Sequence, residues 1–333
     1  MKQLNGIHHV TAITSSAEKN YEFFTNILGM RLVKKTINQD DINTYHLFFA
    51  DDRGNAGTDV TFFDFNGINK AIRGTDEISR IGLRVKDDEA LEYWVKRFKH
   101  YNVRFEPITE LFNKKVLFFY DFDDQEYALF SDENNEGIGS GTPWLNGPVP
   151  VEYGITGLGP IFFRVKNIEN MKRILEEIMG MRYSSKQNQY TLFEMGLGGN
   201  GASVILDYQP LLPNAYQGYG GVHHVAFRVD DREDIDAWIR HLNSYKAGHS
   251  GFVDRFYFKS LYTRLYPGIL FEFATEGPGF IDDEEPYEIL GEKLALPPKF
   301  RNQRERIEAL VRPIDTVRST KEFKKEYFND ERS

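Results

Sequence analysis

The chain has 333 residues, of which 41% are hydrophobic and 27% charged, and its formal net charge is −9. That length suggests two domains of ordinary globular composition, and the negative sum argues against nucleic acid and anionic membranes as partners. The absence of cysteine excludes disulfides, thiolate chemistry and zinc–sulfur sites, so any metal must be held by nitrogen and oxygen.

The first ten residues hold no apolar leader, and no apolar run is long enough to span a bilayer, so a cytoplasmic protein is expected. The first strand is read at Gly6-Ile7-His8-His9-Val10. A helical pattern follows and closes on Gly29-Met30-Arg31. Runs rich in Phe, Tyr, Val and Ile, at Thr44–Ala50 and Asp59–Phe65, then read as antiparallel strands. A second start lies at Ile78–Val85, with Trp94 in its helix and Lys115–Asp121 among its strands. The third start, Gly157–Val165, leads to a helix closing on Gly180-Met181-Arg182. The fourth, Gly221–Val229, has Trp238 in its helix and ends on a strand at Gly268–Thr275.

Four starts of the same kind make a fourfold repeat of strand, helix and about three strands. The shift that superposes the two Gly-Met-Arg motifs carries His9 onto Pro160. The shift that superposes Trp94 on Trp238 carries His224 onto Arg80. The expected fold class is α+β, built of four βαβββ modules paired into two domains with curved mixed sheets. The Gly-, Pro- and Asn-rich stretch 133–153 suggests an N-terminal domain at 1–140, a linker at 141–153 and a C-terminal domain at 154–292. Beyond it lies a C-terminal helix and charged tail, 293–333. Arg304–Arg312 reads as one amphipathic helix, and Arg318–Ser333 as disordered.

Alternation along a strand separates its two faces. In the fourth start His223, Val225, Phe227 and Val229 form an apolar, helix-facing row, while His224, Ala226 and Arg228 face the other way. The first start has the same phase, with His8 on the apolar row and His9 and Thr11 opposite. Periodicity therefore selects His9 and His224 for the concave side and turns His8 and His223 away. Glu272 is a lone charge in an apolar strand, and a buried carboxylate needs a partner or a metal. Two imidazoles and one carboxylate form a facial triad with open positions, the arrangement of non-heme Fe(II) oxygenases; Mn(II), Zn(II) and Ni(II) use the same donors. His46 reads as a core or substrate-lining residue. Arg84, Arg164 and Arg228 read as repeated structural arginines paired to carboxylates. Asp59, if turned inward, would make a fourth ligand.

These segments resemble the vicinal oxygen chelate superfamily, which contains extradiol dioxygenases, glyoxalase I and antibiotic-resistance binding proteins. Within it, the chain resembles the hydroquinone-type ring-cleaving dioxygenases up to about Arg312. The matching residues are Gly6–Thr11, Thr44–Asp51, Gly221–Phe227, Phe271-Glu272 and Leu296-Pro297-Pro298. The resemblance implies His9, His224 and Glu272 as metal ligands. A further family pattern stands as Arg255-Phe256-Tyr257-Phe258-Lys259-Ser260-Leu261-Tyr262, which implies Arg255 and Tyr262 beside the substrate. The family also places His8, Thr11 and His223 near the site. The implied activity is Fe(II)-dependent ring cleavage of hydroquinone-type diols by dioxygen, in detoxification of quinone-derived compounds. The partners would be a small aromatic diol and dioxygen, and the chain a homo-oligomer. The competing readings are a glyoxalase-type isomerase or lyase, and a non-catalytic small-molecule binding protein.

Overall fold

The computed structural model describes residues 2–281 and 285–328. Module one comprises β1 (Ile7–Ile13), α1 (Ala17–Tyr21, continued by the π-helical segment Glu22–Ile27), β2 (Arg31–Asn38), β3 (Asp41–Ala50) and β4 (Asp59–Asp64). Module two has β5 (Glu77–Val85), α2 (Asp88–His100), β6 (Thr109–Leu111), β7 (Lys114–Tyr120) and β8 (Glu126–Ser131). Module three has β9 (Ile155–Leu158), β10 (Ile161–Val165), α3 (Ile168–Arg173, continued by Ile174–Ile178), β11 (Arg182–Gln187), β12 (Tyr190–Glu194) and β13 (Ser203–Tyr208). Module four has β14 (Gly221–Val229), α4 (Arg232–Ser244), β15 (His249–Asp254), β16 (Lys259–Tyr266) and β17 (Ile269–Thr275); α5 (Arg304–Leu310) follows.

The helices start where the sequence supplies caps. Asp87 accepts from the amide of Ala90 at the head of α2, and Asp231 from that of Asp234 at the head of α4. Acidic residues follow each cap and basic ones close α2, as the helix dipole favours. Each helix buries one stripe, including Leu91, Trp94 and Phe98 on α2 and Ile235, Trp238 and Leu242 on α4. Trp238 stacks on Phe273 of β17, with ring centroids 4.5 Å apart. No described helix is long and apolar enough to cross a membrane.

The four modules build two curved mixed sheets. One runs β15-β16-β17-β14-β1-β4-β3-β2 and joins modules four and one; the other runs β11-β12-β13-β10-β5-β8-β7-β6 and joins modules three and two. This differs from the expected grouping of 1–140 and 154–292. Each module leaves the outer edge of its first strand unpaired, and that edge is satisfied by the antiparallel first strand of another module. Here β1 takes β14 and β5 takes β10, so module one closes on module four rather than on its neighbour in sequence. The stretch 141–153 accordingly connects two modules of one sheet and is itself packed. Gly141 N–H donates to Thr156 O, Asp52 N–H donates to Thr142 O, and Trp144 is buried.

The tail also departs from expectation. α5 matches the predicted helix, but the chain does not dissolve after Arg318. Arg318 is buried and donates to Leu32 O at 2.6 Å. Lys325 donates to the carbonyls of Leu145, Gly147 and Val149. Glu326 pairs at 2.6 Å with the buried Arg97 of α2. High charge suggested a solvated tail; its charges instead meet backbone carbonyls and a fully buried guanidinium. Residues 329–333 of that prediction lie outside the described residues.

Candidate metal centre and its cavity

His9 lies on β1, His224 on β14 and Glu272 on β17, three neighbouring strands of one sheet. The register fixes their meeting: Thr11 faces His224 across the antiparallel pair, and Ala226 faces Glu272 across the parallel one. All three side chains are buried, and one ligand atom from each lies within 4.8 Å of the others. Glu272 Oε2 is 3.1 Å from His9 Nε2 and 3.0 Å from His224 Nε2, and the two Nε2 atoms are 3.3 Å apart. The carboxylate oxygens nevertheless have no aligned hydrogen-bond partner among the described residues. A buried carboxylate facing two imidazole nitrogens without donors is a donor set that fits one divalent cation.

The outer histidines are not where strict alternation puts them. Between Ile7 and His9 strand β1 carries one residue more than β14, and between Val222 and His224 strand β14 carries one more than β1. The extra residues are His8 and His223. Each is the bulged residue of the pairing, and a bulge re-aims its side chain. Ile7 and Val10 stay in the helix-facing core, as do Val222 and Val225. His8 and His223 therefore turn toward their own neighbours: His8 Nδ1 lies 2.9 Å from His9 Nδ1, and His223 Nδ1 lies 2.7 Å from His224 Nδ1.

This arrangement sets tautomers. Thr275 O, 3.0 Å from His8 Nε2, can only accept, so that nitrogen carries the proton. His8 Nδ1 must then accept from His9 Nδ1–H, which leaves His9 Nε2 as a bare lone pair aimed at Glu272. Burial, with His9 beside it, pushes the His8 imidazole down to about 3, and burial with His224 beside it does the same to His223. Both are neutral at physiological pH, as the relay requires. Such outer hydrogen bonds orient metal-binding imidazoles.

The triad opens onto a cavity of about 290 Å³, whose walls include His46, Phe48, Phe63, His223 and Tyr262. That is room for one aromatic ring. His46 Nε2 lies 2.8 Å from Thr61 Oγ1, Thr61 Oγ1 lies 2.7 Å from Thr11 Oγ1, and Thr11 Oγ1 lies 2.9 Å from His224 Nε2. Thr61 stands on β4 opposite Thr11, where module four has Glu272 opposite Ala226. Arg255 Nε donates to Tyr262 Oη at 3.2 Å, and the Tyr262 ring makes an edge contact with His224. Burial, reinforced by Glu272, raises the Tyr262 hydroxyl, so it stays protonated.

Asp59 shares the register of His9 but is not in the converging group. It is buried with both oxygens lacking a partner among the described residues, and burial, with Asp51 nearby, pushes its carboxyl well above the usual range. Both the burial and its place outside the converging group argue against Asp59 as an anionic ligand. The repeated arginines meet carboxylates: Arg84 pairs with Asp132 at 2.8 Å, Arg164 with Asp207 at 3.1 Å and Arg228 with Glu276 at 2.6 Å. Sequence reasoning missed Asp40 and Gln39, which also line the cavity. They sit in a polar turn whose only legible feature is its turn composition.

This fold and site define a class. The chain belongs to the Glyoxalase/Bleomycin resistance protein/Dioxygenase superfamily, whose model matches residues 6–129 and 157–272. It is 42% identical, over 94% of its length and 99% of the relative's, to MhqA of Bacillus subtilis (strain 168), named as a ring-cleaving dioxygenase. It is 28% identical, over 92% of its length and 95% of the relative's, to a chlorohydroquinone/hydroquinone 1,2-dioxygenase of Sphingobium indicum. A crystal structure named as a dioxygenase from Bacillus subtilis superposes with a TM-score of 0.87 at 32% identity, covering 95% of this chain and 99% of the other.

Proposed function

We propose that this protein is a metal-dependent ring-cleaving dioxygenase of the extradiol type, acting on hydroquinone-type aromatic diols. The observation that carries the reading is the convergence of His9, His224 and Glu272, all buried, with the Glu272 oxygens unsatisfied by protein hydrogen bonds, beside a ring-sized cavity that His9 and His224 line. The names of the relatives supply the reaction and the substrate class. Three ligands leave coordination positions open for substrate and dioxygen. His9, His224 and Glu272 would hold a divalent ion, Fe(II) in this reading and Mn(II), Zn(II) or Ni(II) by the same donor chemistry, which would supply a template for ring and dioxygen.

The chain's own groups do the rest. His8 and His223 hold the ligand imidazoles in their tautomers. Phe48 and Phe63 offer apolar surface to a flat ring. Tyr262 Oη accepts from Arg255, so its own proton is free to be donated to an oxygen of the substrate. Arg255 holds that hydroxyl in place through Nε, so the donor is oriented where negative charge develops on the opening ring. Both oxygen atoms enter the product, and removal of quinone-derived toxic compounds in the cytoplasm is the corresponding role.

A glyoxalase-type isomerase needs a fourth protein ligand, and the position for it holds Thr61. The test is anaerobic reconstitution with Fe(II), then an oxygen electrode with hydroquinones, catechols and a hemithioacetal in parallel. One dioxygen consumed per hydroquinone opened is the expected result. Cleavage of catechols alone moves the substrate to ortho-diols. Oxygen-independent conversion of the hemithioacetal, with no uptake on any diol, overturns the reading.

A further inference from the structure

In the sheet of modules four and one, β15 and β16 form one outer hairpin and β3 and β2 form the other. The curvature of the sheet brings these two edges together over the cavity. They meet at two turns. One lies between β2 and β3 and holds Gln39 and Asp40; the other lies between β15 and β16 and holds Arg255. Gln39 Nε2 donates to Arg255 O at 2.7 Å. Arg255 reaches back with both outer nitrogens, Nη1 to Asp40 Oδ1 at 3.2 Å and Nη2 to Asp40 Oδ2 at 2.9 Å. Its Nε is spent on Tyr262. Phe256, next in the turn, sits at a φ of 71°, a left-handed conformation uncommon for a bulky residue, and its amide is held by Asp254 Oδ1 at 2.8 Å. Strain of that kind persists only where surrounding contacts hold it.

Stability does not explain the Asp40–Arg255 pair. The Asp40 side chain is 71% exposed, and exposed ion pairs contribute at most about 1 kcal/mol. Its position at the cavity does suggest a use. A planar guanidinium on the wall of a ring-sized pocket is a ready-made bidentate receptor for a carboxylate. Asp40 already occupies that receptor with a carboxylate of the chain's own. The Arg255 guanidinium holds the Asp40 carboxyl below the ordinary range, so it is charged whenever the enzyme works near neutrality.

We infer that Asp40 is a specificity-determining residue: by occupying the fork of Arg255 across the cavity mouth, it admits uncharged diols and rejects diols that carry a carboxylate on the ring. The inference deepens the dioxygenase reading and rests on it for the identity of the ring. A carboxylated ring meets a repelling charge and a receptor whose two parallel donors are taken. A neutral ring needs neither. The same fork also fixes where Nε points, and thereby which way the Tyr262 proton is turned, so Asp40 acts on the site through Arg255 as a positioning residue. The rejection is of the kind specific sites build by placing a like charge against the wrong ligand.

The test uses the full-length protein, with hydroquinone and 2,5-dihydroxybenzoate as probes, bound without dioxygen and followed by calorimetry. In Asp40→Asn the ratio of affinities should move toward 2,5-dihydroxybenzoate by about tenfold, the scale of one hydrogen bond to a charged group. Asp40→Glu should keep the parent's preference, because the charge remains. Asp40→Asn combined with Arg255→Met should lose the gain, because the released fork is absent. Asp40→Ser serves as a second variant and should move the ratio in the same direction. The gain in Asp40→Asn should shrink at high salt. An unmoved ratio in both single variants overturns the inference, as does a gain that survives removal of Arg255, or failure of both probes to bind any of these proteins. If binding shifts as expected but no diol supports oxygen uptake, the selectivity stands and the dioxygenase reading falls. If diols are opened and the ratio is unmoved, only the role of Asp40 falls.

Discussion

The two sheets are built from the same module and joined by the same first-strand pairing, and among the described residues only the sheet of modules four and one gathers a candidate metal-binding group. In the sheet of modules four and one, the concave face presents His9, His224 and Glu272. The matching positions in the sheet of modules two and three hold Pro160, Arg80 and Ala128. Ala128 faces Gly82 across a parallel pair, as Glu272 faces Ala226. Around Ala128 the space is filled by Val116, Phe130, Phe162 and Ile205. Arg80 lies over the Phe118 ring at 3.9 Å and pairs with Glu126 at 3.1 Å. The first strands approach so closely that a Cβ on Gly82 would lie 2.1 Å from Pro160 O, which accounts for glycine there. One sheet is plugged by apolar side chains and the other keeps a cavity.

The strongest test of that contrast removes the ligands. The protein should bind one equivalent of metal, and His9→Ala, His224→Ala and Glu272→Gln should each lose it, because three donors leave no redundancy. Elemental analysis of purified variants reads this directly, and full metal in any of them takes that residue out of the site. The reverse experiment puts a carboxylate where the plugged sheet has none. Ala128→Glu should bind no metal and lose at least about 2 kcal/mol of stability, measured by denaturant unfolding, because the charge enters an apolar cluster. Unchanged stability would show that the second sheet has polar room.

Tyr262→Phe should retain metal and slow turnover by roughly a hundredfold, the usual cost of one oriented donor where charge develops. Steady-state kinetics on the metal-loaded variant decide it, and parent-like rates reduce Tyr262 to packing. His8→Ala and His223→Ala should keep the triad but weaken metal affinity by about 10- to 100-fold, with His8 the more costly because its relay is anchored on Thr275 O. Equal affinity to the parent in competition with a chelator would refute the relay.

The smallest effect concerns the tail, which adds contacts to module one. Arg312 pairs with Glu18 and Asp64, and it holds the Glu18 carboxyl down to about 2 from 4.5. A carboxyl depressed in the folded state contributes stability above its unfolded pKa and loses it as pH falls from 4.5 toward 2. Arg312→Ala should flatten that part of the pH–stability curve and cost below about 1 kcal/mol at neutral pH, since the pair is half exposed. A slope unchanged in Arg312→Ala would show that the tail contact is not populated in solution.

Much of this was legible in the chain and some was not, for reasons that differ by residue. The four starts, the Gly-Met-Arg and Trp landmarks and the apolar rows at Val225, Phe227 and Val229 are local patterns, and local patterns survive reading in one dimension. Strand phase turned His8 and His223 away from the site, against the family resemblance, because a bulge is a mismatch between two strands, invisible in either strand alone. The grouping of modules was misassigned because chain proximity was taken for spatial proximity across residues 133–153. Arg318 and Glu326 looked solvated because charge suggests water unless a buried partner is known, and their partners lie on β2 and α2.

What the amino-acid order determined by itself is the module: its strand phase, its helix caps, its turns and the uneven distribution of histidine among four copies. Those follow from backbone periodicity and side-chain chemistry within a few residues. What only the tertiary structure decided is which modules share a sheet, and so which histidines, carboxylate and edge turns face one another. That depends on antiparallel pairing of first strands distant in sequence and on a curvature that brings Asp40 to Arg255. Both are set by satisfying strand edges and burying apolar faces in three dimensions, and no window of sequence contains them.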